Sequence, residues 1–296
     1  MKKSAPTPGV VCDDPWSLDH QGKGEVIQVA TGIKAALMLA AAGALGACNP
    51  GGRAGIAEAR GAGRDASESA YRPPPSLTVA AWLPGGRVAL AGRATAGSRV
   101  RIAAPGGDAV LALANGGGAW RAVLPGAPDV RLFGLSMIEA GRGVQAQGYL
   151  AVTPRGMAAQ LRAGAGAVVM GAPPGIPRIL AVDFDRKGGT VVSGIGPPMT
   201  ALKVRIDGRE RAEARVDGAG RFSLPLDEPL GPGAHELEVG QGGARDAARV
   251  AVSPAAPLTL APFAAARAPS GWRIDWMTPG GGVQTTLLIG PPEPAG

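Results

Sequence analysis

From Leu77 onward the chain is written in short runs in which apolar and polar positions alternate, broken by Gly- and Pro-containing turns. "LTVAAWL" (77–83), "RVALAGR" (87–93), "RVRIAA" (99–104), "DAVLALA" (108–114), "AWRAVL" (119–124), "VRLFGLSMI" (130–138) and "VQAQGYLAV" (144–152) read as one series of strands. A second series runs "RILAVDF" (178–184), "TVVSGI" (190–195), "LKVRID" (202–207), "RAEARV" (211–216), "RFSLPL" (221–226), "AHELEV" (234–239) and "DAARVAV" (246–252). Strands of this length at a spacing of about 8–12 residues predict an all-β chain made of two tandem β-sandwiches.

Landmarks recur in the same order in both series. Trp82 before Gly85-Gly86 matches Phe184 before Gly188-Gly189, and "VRI" stands at 100–102 and at 204–206. "NGGGAW" (115–120) matches "DGAGRF" (217–222), "VLP" matches "SLP", and "AVTP" (151–154) matches "AVSP" (251–254). Such a period marks tandem copies of one domain. Asn115 or Asp217 with the following glycines predicts a turn that needs positive φ, and the aromatic after it, Trp120 or Phe222, a core plug. These landmarks resemble the bacterial immunoglobulin-like repeats of surface and periplasmic proteins, over residues 76–154 and 177–254. The resemblance implies two immunoglobulin-like sandwiches. Between them, residues 155–176 are rich in Ala, Gly and Pro and read as a flexible or partly helical linker. In the tail, 255–296, alternation on both sides of "PGGG" predicts a β-hairpin.

The N-terminal part has another texture. "IKAALMLAAAGALGA" (33–47) is uncharged after Lys34 and too short for a membrane span, which needs about 20 apolar residues. An apolar run behind a positive charge, ending in small residues, is the pattern of a secretory signal. Its end, Leu45-Gly46-Ala47-Cys48, resembles the lipobox of bacterial lipoproteins. The resemblance implies cleavage before Cys48, with Leu45, Gly46 and Ala47 as the peptidase's recognition residues, a diacylglyceryl group on the Cys48 thiol and an acylated new amino terminus. Asn49 is not the Asp that holds many enteric lipoproteins at the inner membrane, which implies the outer membrane, on its periplasmic side or at the cell surface. More than thirty residues precede the apolar run, so translation is expected to begin near Val26 or Val29 and residues 1–47 to comprise a signal peptide with a mis-assigned extension. Residues 48–75 read as a lipidated Cys followed by a disordered tether.

Charge narrows the partners. The net charge is +7, yet 76–154 carries seven Arg against Asp108, Asp129 and Glu139, and 177–254 is balanced. No Lys/Arg cluster or aromatic-basic interleaving appears, which argues against a nucleic-acid partner. The expected contacts are the membrane, through the lipid anchor, and an envelope protein or polysaccharide. Only Cys12 and Cys48 are present, so processing leaves no disulfide framework and no Cys-based metal site.

Candidate chemistry is sparse. Past Cys48 the only histidine is His235, in a strand with no Ser or Cys elbow beside it, and it reads as a solvent-facing residue. "DFDRKGG" (183–189) resembles a calcium loop through Asp183, Asp185 and Gly188, but Lys187 stands where an oxygen ligand belongs and the downstream Glu is missing. "GAGAG" and "PGGGV" lack the Lys-Ser/Thr of a phosphate loop. Trp272 and Trp276 share one face of a strand. Exposed, they form a platform for a sugar ring; buried, they close the edge of the second sandwich. These readings lead to a non-catalytic binding or structural accessory of the cell envelope, with no cofactor and no metal. The alternative is a carbohydrate-binding module for peptidoglycan or exopolysaccharide that stacks its ligand on Trp272 and Trp276.

Overall fold

The computed structural model describes residues 72–139 and 141–290. The lipobox Leu45-Gly46-Ala47-Cys48 and most of the expected tether lie outside the described residues. The first series forms β1 (Ser76–Leu83), β2 (Arg87–Arg93), β3 (Arg99–Ala103), β4 (Ala109–Leu113), β5 (Ala119–Leu124), β6 (Arg131–Glu139) and β7 (Arg142–Val152). Next come β8 (Ala158–Arg162) and β9 (Ala165–Val169). The second series forms β10 (Arg178–Asp185), β11 (Thr190–Ile195), β12 (Ala201–Ile206), β13 (Arg209–Arg215), β14 (Arg221–Pro225), β15 (Gly233–Gln241) and β16 (Ala244–Val252). The chain closes with β17 (Phe263–Ala268), β18 (Gly271–Met277) and β19 (Val283–Ile289).

The protein is all-β, with two sandwiches of the same topology. Sheet β1-β2-β5 faces β4-β3-β6-β7 in the first, and β10-β11-β14 faces β13-β12-β15-β16 in the second. This is the strand arrangement of an immunoglobulin-like sandwich. Alternation does the sorting, because one face of each strand meets the other sheet and burial drives that face inward. Val88, Leu90, Ile102 and Trp120 fill the first core; Val192, Leu202, Phe222 and Leu237 fill the second.

The repeat is exact enough to compare atom by atom. Asn115 Oδ1 accepts from the Gly117 and Ala119 amides at 3.0 and 2.9 Å. Asp217 Oδ1 accepts from Ala219 and Arg221, both at 2.9 Å. Gly118 and Gly220 then take φ of 78° and 75°, as the turn demands. Trp120 and Phe222 lie buried against Gly92 and Gly194, where an added Cβ would come within 2.7 Å of either ring. The register of the "VRI" match needs correction. Ala114 N donates to Ser98 O and Val216 N to Thr200 O, which makes Val100 and Ile102 the equivalents of Leu202 and Val204. A slip of two residues keeps every side chain on its face, so alternation alone does not detect it.

The expected linker is a strand hairpin. β8 pairs with β7, and β9 with β8, extending the sheet of the first sandwich to the order β4-β3-β6-β7-β8-β9. The tail carries three strands where a hairpin was expected: β19 pairs with β10, and the second sandwich's sheet becomes β14-β11-β10-β19-β18-β17. The outer faces of these two extended sheets pack on each other. Leu132, Ala151 and Leu161 of the first meet Ala181, Ile274, Trp276 and Leu288 of the second in a third apolar core. The two sandwiches belong to one compact unit, Arg60–Gly296.

Candidate functional site

The third core holds a buried polar cluster. Strand alternation sends Asp183 to the outer face of β10, under β9, while Asp185, the last residue of the strand, lies exposed at its end. Asp183 Oδ2 accepts from the Ala167 amide at 2.8 Å, and Oδ1 accepts from Thr286 Oγ1 at 2.5 Å and Gln284 Nε2 at 3.3 Å. Trp276 Nε1 donates to Thr286 Oγ1 at 3.1 Å, and the Gly164 amide donates to Gln284 Oε1 at 3.0 Å. The cluster thus ties the β8–β9 hairpin to β10, β18 and β19. Close approach is possible because residue 166 is glycine: a Cβ there would stand 1.8 Å from Ser193 Oγ.

Burial pushes the Asp183 carboxyl up to about 6, against the hydrogen bonds from Thr286, Ala167 and Gln284 and the charge of Arg162. Below about pH 4 the acid is protonated in folded and unfolded chains alike. As pH rises through 6 the folded chain must hold a buried charge, so stability from this group is greatest in acid and is lost on the way to neutrality. The cost at neutral pH is on the order of 3 kcal/mol. Asp183→Asn is expected to flatten the rise in denaturant midpoint between about pH 7 and 4; an unaltered slope would remove Asp183 as its source.

The residues singled out in sequence take separate places. Asp185 Oδ1 accepts from the Lys187 and Gly189 amides at 2.8 and 3.1 Å, so its oxygen caps the turn between β10 and β11. No group of three metal-ligating side chains occurs among the described residues. His235 is not free in solvent as expected. Its Nδ1 lies 2.9 Å from Asp207 Oδ2 and its Nε2 2.8 Å from Gly231 O. Both partners are acceptors, so the charged imidazolium is the form that makes both bonds, and the hydrogen bond with Asp207 raises the pKa of His235. The pair braces β15 against the β12–β13 turn.

The tryptophans do not form a platform. Trp276 is fully buried, edge-on to Tyr149 with centroids 5.7 Å apart. Trp272 is half-buried on the same core, and the Arg267 guanidinium covers its ring at 4.1 Å. Their shared face is the one that meets the other sandwich, so a sugar cannot stack across both.

The structure shows instead a groove of about 650 Å³ where the hairpin meets the second sandwich. Arg162 and Gln160 of β8 line one side; Arg215, Asp217, Arg221 and Ser223 line the other. Arg162 is held by two bonds to Gly166 O, at 3.1 and 2.7 Å, and Arg221 stands 3.6 Å from Asp217. Three guanidinium groups against one carboxylate favour an anionic occupant. No sequence signal pointed here, because the walls come from both copies and from the segment read as a linker.

No family model matches the chain, and no curated protein matches it. Among solved structures, a chain titled "Biofilm associated protein - BSP domain" aligns at 13% identity over 62% of this chain, with a TM-score of 0.23. This chain spans 30% of that one. At that score the likeness carries no argument about function. Among the described residues no helix is long and apolar enough to cross a membrane.

Proposed function

We propose that this protein is a lipid-anchored, non-catalytic accessory of the cell envelope, with the groove between its two sandwiches as the site for an acidic envelope polymer. The lipobox-like Leu45-Gly46-Ala47-Cys48 supports the anchor and, with Asn49, an outer-membrane location. The observation that carries the binding role is the groove with its Arg162, Arg215 and Arg221 walls, set on a junction whose third core fixes one wall against the other. A rigid groove loses little freedom when it takes up an extended ligand, which is where preorganised binding gains affinity.

The test is sedimentation of the protein with insoluble peptidoglycan and, separately, retention on an acidic exopolysaccharide, with release of reducing ends followed in parallel. Binding without release, weakened at least tenfold by Arg215→Glu with Arg221→Glu, is the expected result. Release of reducing ends would make the chain an enzyme. Binding that ignores both substitutions would move the ligand elsewhere.

A further inference from the structure

The two copies of the domain treat one edge strand in opposite ways. β4 and β13 occupy the same place, at the end of the sheet beside β3 and β12. β13 carries Arg209, Glu210, Arg211, Glu213 and Arg215, and its pairing with β12 is broken by a bulge. Charge and a bulge are the means by which proteins keep an open strand edge from pairing. β4, "AVLAL", has neither: no charge, no Pro and an unbroken register against β3. Leu111 is 60% exposed and Leu113 71%. No strand pairs with the outer edge of β4 among the described residues.

We propose that β4 is a self-association edge, which pairs antiparallel with β4 of a second copy of this chain about a two-fold axis at Leu111. The direction of its free backbone groups follows from its neighbours. The Ala114 amide donates to Ser98 O, the Gly97 amide to Ala114 O and the Ala104 amide to Asp108 O, so even-numbered positions face β3. Ala109, Leu111 and Leu113 therefore turn both N–H and C=O outward. About the axis, Leu111 meets Leu111 of the second copy and Ala109 meets its Leu113, so a small residue faces a large one on each side.

Charge permits the pairing. Arg101 is the cross-strand partner of Leu111, and in the joined sheet the two copies of Arg101 stand three strand spacings apart, roughly 14 Å. That exceeds the screening length of about 8 Å at physiological salt. A foreign strand would need its own uncharged edge of matching volume, whereas β4 already supplies both sides of an isologous contact. Five residues a side make a small interface, so the dimer is weak and concentration-dependent.

Sedimentation velocity of the full chain carrying Cys48→Ser, which removes the proposed acylation site so that lipid cannot bridge copies, tests this at rising concentration. A shift from monomer to dimer is expected, and Leu111→Lys with Leu113→Lys should abolish it while leaving the melting temperature unchanged. Val79→Lys with Val123→Lys, at exposed positions on the other sheet, should leave it intact. A chain that stays monomeric throughout overturns the proposal, and that result covers the case in which only a foreign strand binds. Dimers that survive the β4 substitutions, or vanish with the control pair, overturn it as well.

Discussion

Trp276→Ala is expected to cost ~3–5 kcal/mol, the range for emptying a buried aromatic site, and to change how the protein unfolds as well as when. Trp276 is a wedge between sheets of different sandwiches: fully buried, edge-on to Tyr149 of β7 and bonded through its indole N–H to Thr286, which in turn bonds Asp183. With the wedge in place, opening one sandwich exposes apolar surface of the other, so the wild type should melt in a single calorimetric transition. Trp120→Ala and Phe222→Ala, although in separate cores, should each lower that one transition. Emptying the Trp276 site removes the coupling and should divide the endotherm in two. Two independent transitions in the wild type would mean that the third core does not couple the domains.

A flexible linker would give the opposite pattern, and residues 155–176 resemble one for a physical reason. β8 and β9 are "AAQLR" and "AGAVV", rich in Ala and Gly and buried or half-buried along their length, with Ala158 in the first core and Ala159, Leu161 and Ala167 in the third. Strands covered on both sides lose the alternation that makes a strand readable, and Ala with Gly carries little β-propensity of its own. Most of the fourteen strands of the two copies are legible because one face is wet; β10 and β11, buried on both faces, are legible as short apolar, β-branched runs between turns. Asp183 reads in the sequence as a residue of the strand "RILAVDF" and as part of a loop that resembles a calcium site; its partner, the Ala167 amide, belongs to the segment that reads as a linker. The Trp pair failed as a platform for the same reason. A spacing of four places both rings on one face, but what covers that face is β6 to β8 of the other copy, which no local pattern encodes. The groove with its three arginines inherits the same blindness.

On the proposed reading the anchor rests on one sulfur, and its loss should be all-or-none. A single acyl chain holds a protein only marginally at a membrane, while each buried CH₂ adds ~0.8 kcal/mol, so two or three chains make attachment effectively permanent. After Cys48 no run of the sequence approaches the roughly 20 apolar residues of a spanning helix. The described part is a set of twisted sheets whose apolar faces largely pack on one another, and it offers no amphipathic helix to lie on a bilayer. Cys48→Ser keeps the size of the residue but removes the thiol that a diacylglyceryl group requires. It should therefore abolish incorporation of a fatty-acid analogue and leave an unprocessed precursor or a form recovered in the periplasmic fraction, while the wild type is labelled and sediments with membranes. Label in the Ser variant, or none in the wild type, would remove Cys48 as the lipid site. The outer-membrane assignment would fall with it, since that rests on the same four residues and on Asn49 beside them.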